Sequence, residues 1–133
     1  SNFNYYLPDI NIRNIKWDIN REIDDLELID IGIYPLLKNE WALGKGGLKA
    51  MQYMALEIPT IATNYGTNLD VIENYKNGIL VDTEDEWIRG IIYLINNPEE
   101  AIKIGKNGRK KILDHYSTDH LKNEYINILN SNK

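Results

Sequence analysis

The sequence predicts an α/β domain of the Rossmann-like kind, in which helices cover both faces of a short parallel sheet in three layers. Three short apolar runs, at residues 29–34, 59–63 and 79–81, have the length and composition of buried strands. The segments between and after them place apolar residues at helical spacing. Strands that alternate with helices are typical of a parallel sheet, because two parallel neighbours need a long crossover between them.

Composition limits the classes of function that this chain can serve. Its 133 residues suit a single domain over 1–133, and 43% hydrophobic with 26% charged residues is ordinary for a globular protein. The net charge of -5 disfavours nucleic acid as a partner. The absence of cysteine excludes disulfides, thiolate metal sites and a cysteine nucleophile. No apolar run approaches the roughly 20 residues of a membrane span, and we expect a cytoplasmic protein.

The N-terminal quarter predicts an irregular start followed by a strand, a helix and a second strand. Residues 1–9 contain Pro8 and no regular pattern, and the apolar residues of 10–17 indicate a strand with imperfect alternation. The spacing at 18–28 predicts a helix whose inner side carries Ile19, Ile23, Leu26 and Leu28. The apolar run at 29–34 ends at Pro35, which indicates a buried parallel strand.

The middle of the chain predicts two more strands, each reached through a helix. A loop of roughly ten residues precedes a glycine-rich turn, a helix at 48–56 and the strand at 59–63. The run Asn64-Tyr65-Gly66-Thr67 turns the chain into a short helix at 68–75. The residues at 64–67 either line a ligand cleft or are present only because Asn and Gly favour turns. Asn77-Gly78 then marks a turn before the strand at 79–81.

The C-terminal third predicts three helices. Thr83 and Glu86 have the spacing of a capping box, and the helix after them has an apolar face formed by Trp87, Ile91, Leu94 and Ile95. Asn97-Pro98 ends that helix and starts another, since Pro is tolerated at the first helical position. Ser117 or Thr118 caps the last helix, whose apolar residues are Leu121, Tyr125, Ile128 and Leu129.

The glycine-rich turn before residue 48 is the strongest pointer to a ligand. Gly46 and Gly47 allow close approach to the backbone, and the free N–H groups of a helix start suit a phosphate. Lys45, Lys49 and Gln52 are offset by zero, four and seven residues, so they share one helix face, opposite Leu48, Met51 and Ala55. The alternative interpretation is the solvated face of an ordinary amphipathic helix.

Two common nucleotide-binding motifs do not fit this turn. The dinucleotide fingerprint requires its glycines directly after a strand, and here Tyr34 and Gly44 lie too far apart. A phosphate-binding P-loop requires Ser or Thr after Gly-Lys, whereas Gly46 follows Lys45.

Over residues 17–116 the chain resembles the group 1 family of retaining, nucleotide-sugar-dependent glycosyltransferases with the GT-B fold. The resemblance is to the later part of the C-terminal, donor-binding domain of that family. The matching pieces, in family order and spacing, are residues 30–36, Gly44-Lys45-Gly46-Gly47-Leu48-Lys49, Gln52-Tyr53-Met54-Ala55, residues 58–63, Gly66 with Asn68, and residues 77–81.

The resemblance also implies which residues meet the donor. The family's motif of two Glu residues eight positions apart falls on Gly44 and Gln52, so Gly44 cannot contact the sugar and Gln52 is a neutral partner for the ribose hydroxyls. The backbone N–H groups of Gly46 and Gly47, with Lys45 or Lys49, are expected to meet the diphosphate. The implied binding set is Gly44, Lys45, Gly46, Gly47, Leu48, Lys49 and Gln52.

Two further positions bear on that resemblance. Glu40 is either a replacement contact for the donor sugar or a solvated loop carboxylate. Glu57 stands where the family often has Gly, so the end of the helix at 48–56 is expected to differ.

The resemblance further implies a piece of a hexosyltransferase-like enzyme of bacterial polysaccharide synthesis. The family's Arg and Lys clamp, catalytic-side groups and acceptor domain lie N-terminal to the matched part, so we expect no catalytic residue here and no turnover by these residues alone. The donor is a substrate, and no cofactor is implied. Any peripheral membrane contact would belong to the missing part. The alternative, which the loss of both motif Glu residues favours, is a non-catalytic α/β binding or interaction module.

Other polar and aromatic residues have simpler interpretations. His115 and His120 are off helical register, so we expect no metal site. The acidic residues of one predicted helix are interpreted either as a solvated face or as partners of the helix dipole: Glu22, Asp24, Asp25 and Glu27. Trp17 and Trp87 are interpreted as packing residues, and Trp41 either packs or covers the donor.

Overall fold

The structure, a computed structural model, describes residues 5–44 and 46–131. Three strands and seven helices follow one another in these ranges, in the order α1 Glu22–Leu26, β1 Gly32–Tyr34, α2 Glu40–Leu43, α3 Leu48–Ala55, β2 Thr60–Thr63, α4 Asn68–Val71, β3 Ile79–Val81, α5 Glu84–Asn96, α6 Pro98–Tyr116 and α7 Thr118–Ser131. The predicted α/β class is confirmed.

The strands form one parallel sheet in the order β1-β2-β3. Residues Gly32 to Tyr34 pair with Thr60 to Ala62, and Ile61 to Thr63 pair with Ile79 to Val81. The central strand β2 is buried along its whole length, because it has a strand on each side and helices on both faces. The parallel arrangement follows from the helical crossovers between consecutive strands, as the sequence predicts.

Two apolar clusters, one on each face of the sheet, make up the core. On one face Ala62 packs with Met54 of α3, Ile112 of α6 and two residues around the end of α4, Val71 and Ile72. On the other face Ile61, Ile79 and Val81 pack with Leu94 of α5 and Ile104 of α6. Leu80 of β3 packs against the first cluster, so β2 and β3 send alternate side chains into different clusters, and the predicted three-layer arrangement is confirmed.

Local signals in the sequence explain where the C-terminal helices begin. Thr83 accepts a hydrogen bond from the Glu86 backbone N–H at 3.3 Å, and the Glu86 carboxylate accepts one from the Thr83 N–H at 3.1 Å. This capping box starts α5 where it was predicted. Pro98 occupies the first turn of α6, and Ser117 Oγ accepts the His120 N–H at 3.2 Å at the start of α7. The side chains of Tyr125, Ile128 and Leu129, predicted to be apolar packing residues, lie outside the described part.

The predicted strand at 10–17 is wrong. Residues 5–17 contain no strand, and Ile10, Ile15 and Trp17 are exposed. A strand needs a neighbour for its backbone hydrogen bonds, and β1 pairs with β2 alone in the described part of the chain. The predicted helix at 18–28 shortens to α1, in which Leu26 is buried while Ile19, Ile23 and Leu28 remain exposed.

Three further elements differ from their predicted form. Strand β1 covers only the end of the predicted run, and its Ile33 is 44% exposed on a strand that is the outer one within the described residues. Helix α4 stops at Val71, since the Asn77 side chain accepts the Glu73 N–H at 2.7 Å and replaces the next helical turn. Ile95, predicted to face the core from α5, is exposed.

Candidate functional site

The loops after the three strands meet at the carboxyl edge of the sheet. The Leu36 N–H donates to Thr63 Oγ1 at 2.8 Å, which ties the end of β1 to the end of β2. Beyond β3, Asp82 accepts hydrogen bonds from Lys38 and from the Asn64 side chain. The hydrogen bond from Lys38, followed in size by the one from Asn64, holds the pKa of Asp82 below its ordinary value. Ligands of open α/β sheets bind at this edge.

An open cleft of about 450 Å³ lies beside the start of α3 at this edge. It is lined by Trp17, Glu22, Tyr34, Gly46, Leu48, Lys49 and Gln52. Four of these residues, Gly46, Leu48, Lys49 and Gln52, belong to the binding set that the family resemblance implies. Leu48 therefore borders the same cleft as Lys49 and Gln52, whereas the helical spacing predicts it on the opposite face. The other three come from the segment before α3, including the end of β1.

The start of α3 has no side-chain cap among the described residues. Gly47 is the N-terminal cap residue of this helix, with φ of 63°. The first N–H groups of a helix lack intrahelical partners, and the helix dipole places partial positive charge there. A residue with a side chain would be strained at Gly47, because left-handed φ disfavours Cβ. Glycine at position 47 therefore lets the chain turn into α3 without backbone strain.

Asn68 lies beneath this turn and is almost completely buried, at 1% exposure. Its side-chain N–H donates to the Thr63 carbonyl at 2.9 Å. Its Oδ1 has no hydrogen-bond partner in the described residues and would lie 3.5 Å from a Cβ built on Gly47. Buried acceptors are rarely left unpaired, so the oxygen marks a point where a donor group would be stabilised.

Glu22 of α1 reaches into the cleft and joins its two polar side chains. Its Oε1 accepts from Gln52 Nε2 at 3.2 Å and lies 3.4 Å from Lys49 Nζ. Partial desolvation acts to raise the pKa of Glu22, but hydrogen bonds from Gln52, Trp17 and Lys49, with the Lys49 charge, hold that pKa below its ordinary value. The interpretation of Glu22 as part of a solvated acidic face is therefore wrong.

The remaining predicted residues fall in three places. Gly44 is exposed in the turn after α2 and does not line the cleft, and Gly47 is buried as the cap of α3. Lys45 and the Trp41 side chain lie outside the described residues. Glu40 begins α2, is exposed and does not line the cleft. Leu48 is 68% exposed at the cleft, whereas Ala50 and Met54 take the inner side of α3.

Two of the tryptophans have different surroundings. Trp87 packs against the cluster around Ile61, which confirms its packing role. Trp17, also predicted to pack, is 64% exposed and borders the cleft. The sequence gives no local signal for this position, because Trp17 reaches the cleft from outside the α3 pattern.

The opposite end of the sheet has a smaller cleft, of about 250 Å³, between the turn before β3 and α6. It contains the ion pair of Lys111 with Glu73, at 3.6 Å. The rings of His115 and His120 lie 5.9 Å apart on the same side of the molecule. Within residues 5–44 and 46–131, no group of three His, Asp or Glu residues is placed to hold a metal ion. Nor is any helix in those ranges long and apolar enough to cross a membrane.

Comparison with known proteins assigns this architecture to a family. The family model described as glycosyl transferases group 1 matches residues 19–111. The chain is 32% identical over 89 residues to the poly(ribitol-phosphate) alpha-N-acetylglucosaminyltransferase of Staphylococcus aureus, covering 64% of this chain and 18% of that protein. The chain spans about a fifth of the length of the curated relatives it matches.

Solved structures agree with that assignment. The C-terminal domain of a group 1 glycosyl transferase, LpcC from Francisella tularensis, superposes with a TM-score of 0.67 at 24% identity, over 80% of this chain and 53% of that one. A structure of S. aureus TarM with UDP, fondaparinux and alpha-GlcNAc-glycerol gives 0.52 at 31% identity, over 63% of this chain and 18% of that one. The fold is that of a GT-B C-terminal domain, and the chain belongs to the group 1 glycosyltransferase family.

Proposed function

We propose that this chain holds the nucleotide diphosphate of an activated sugar within a glycosyltransferase that transfers the sugar to an acceptor. The observation that carries the proposal is the cleft at the start of α3, where Lys49 and Gln52 lie beside an uncapped helix N-terminus. UDP is present in the TarM structure, a relative of the same family. A diphosphate would replace the missing cap and offer Lys49, which lies 3.4 Å from the Glu22 carboxylate, a second group of opposite charge.

The same features would assist transfer. Negative charge develops on the diphosphate as the bond to the sugar breaks, and preorganised N–H groups and an ammonium group stabilise such charge without a metal. By analogy with the family, we further propose that the transferred sugar is a hexose and that its configuration is retained. We expect no turnover by these residues alone, because acceptor groups are proposed to lie in another domain.

The test is an amide NMR titration of the chain with UDP, GDP and ADP. We expect saturable shifts at Gly46, Gly47 and Gln52 for at least one nucleotide. Lys49→Gln should weaken binding about 10-fold, the effect of a lost charged hydrogen bond. Lys103→Gln is the matched control, because Lys103 pairs with Glu100 on α6, outside the cleft. A dispersed spectrum with no shifts up to millimolar ligand would favour the non-catalytic module instead.

A further inference from the structure

Glu22 is a carboxylate in a cleft that is otherwise suited to anions. Its side chain is 22% exposed, and Gln52 and Lys49, which hold it, are 30 and 27 residues away along the chain. The long separation means that folding, and no local pattern, brings the carboxylate to this wall. Its partners also fix where the carboxylate points, because Gln52 is itself anchored on α3.

Charge decides which part of a nucleotide can face this group. A phosphate would be repelled by a carboxylate, whereas a hydroxyl would donate a hydrogen bond to it. The phosphate positions at the start of α3 are one helical turn from Gln52, which is about 6 Å along the helix. A ribose joined to that diphosphate would have its hydroxyls near Gln52 and Glu22.

Glu22 also has room for such donors. An ionised carboxylate has positions for about four hydrogen bonds, and Gln52, Trp17 and Lys49 account for three. The Lys49 contact is long, at 3.4 Å, so a phosphate could take over the ammonium group while the Gln52 contact persists. Binding would then exchange an internal ion pair for two ligand contacts.

We propose, on the basis of the function proposed above, that Glu22 is a ligand-binding residue whose carboxylate, held by Gln52, accepts hydrogen bonds from the ribose hydroxyls of the bound nucleotide. Glu22 thereby makes the site selective for ribonucleotides. Lys49 and the start of α3 serve the diphosphate, and the Glu22–Gln52 pair serves the sugar of the nucleoside.

The test compares a ribonucleoside diphosphate with its 2′,3′-dideoxy analogue, using whichever of UDP, GDP and ADP binds best. The unaltered chain should prefer the ribonucleotide about 10-fold, as a hydrogen bond to a charged group implies. Glu22→Gln should reduce this preference to about 2-fold or less and leave the affinity for the dideoxy analogue unchanged or higher. Asp24→Asn, on the exposed side of α1, is the matched control and should keep the full preference.

A second variant separates ligand binding from a structural role. The exchange Glu22→Gln with Gln52→Glu keeps one carboxylate and one amide in the pair, and should restore the preference for the ribonucleotide. If Glu22→Gln weakens both ligands equally, Glu22 only positions α1, and the inference is wrong while the proposed function stands. If no nucleotide binds the unaltered chain, both are wrong.

Discussion

Glu57 shows how one residue can keep a backbone shape that usually needs glycine. It follows the end of α3 and adopts φ of 61°, the left-handed conformation in which helices commonly end. The family resemblance predicts a different end for α3, because Glu stands where the family often has Gly. The structure retains the glycine-type turn instead, and the Arg109 guanidinium lies 3.7 Å from the Glu57 carboxylate.

We predict that Glu57→Gly raises the free energy of unfolding by about 1 kcal/mol. A non-glycine residue pays roughly 1–2 kcal/mol in this conformation, and the ion pair with Arg109 is about half exposed on both sides and therefore weak. Urea denaturation followed by circular dichroism measures the change. Glu27→Gly, at a right-handed position with φ of -63°, should instead lower stability. Equal losses in both variants would contradict the prediction.

At the residue scale, the sequence identified ligand candidates on one helix but missed their tertiary partner. Lys49 and Gln52 share a face because the helical repeat fixes their directions. Glu22 meets them only because the fold brings α1 near α3. Helical or strand periodicity cannot predict a contact such as that between Glu22 and Gln52, which are 30 residues apart.

At the element scale, the predictable parts are those with purely local causes. The capping box at Thr83 and Glu86 starts α5 by itself, and a short run without charged residues, such as β2, favours the centre of a sheet. The prediction of a strand at 10–17 is wrong because a strand depends on a neighbouring strand, which the apolar pattern does not reveal. Helix α4 was overextended because its last turn is replaced by hydrogen bonds to the Asn77 side chain.

Two glycines within long helices have opposite roles in packing. A Cβ on Gly105 of α6 would lie 2.0 Å from the Glu57 carbonyl oxygen, so α6 can cross the end of α3 only without a side chain there. A Cβ on Gly90 of α5 would lie 3.5 Å from the side chains of Ile61 and Ile79, an ordinary contact distance. Close helix packing thus requires the first glycine and tolerates replacement of the second.

We predict that Gly105→Ala lowers the free energy of unfolding by about 1–3 kcal/mol, because the backbone of α6 must shift away from Glu57. Gly90→Ala should raise it by about 0.5–1 kcal/mol, because Ala is the better helix former and has space here. Thermal and urea unfolding of both variants test the pair. A loss of stability in Gly90→Ala as large as in Gly105→Ala would show that α5 is packed too closely for a methyl group.

At the scale of the whole molecule, Leu26 is the first buried core residue in the described part of the chain. The hydrogen bonds seen for residues 5–16 join residues within that segment, as in the reciprocal pair between Tyr5 and Asn14 at 2.9 and 3.0 Å. Its apolar side chains at Tyr6 and Ile10 are exposed. The sequence predicts the sheet and its three-layer arrangement but gives this segment more structure than it has, since exposed and buried isoleucines look alike in a pattern.

We therefore predict that deletion of residues 1–16 changes the free energy of unfolding by less than about 0.5 kcal/mol. Leu94→Ala, at a residue only 2% exposed, should lower it by about 2–5 kcal/mol and serves as the positive control. Native-state hydrogen exchange provides a second measurement, with fast exchange over residues 5–17 and slow exchange in β2. A destabilised deletion variant would show that the segment covers core residues.

Among the described strands β1 is an outer one, which leaves one side of its backbone open to pairing. The Gly32 N–H donates to the Pro59 carbonyl just before β2, so the alternation of a parallel ladder turns the N–H and C=O of Ile33 to the other side. Strand β1 is three residues long and Pro35, which has no backbone N–H, follows it. Any strand that pairs with β1 on this side, from the same or another molecule, therefore forms only a short ladder.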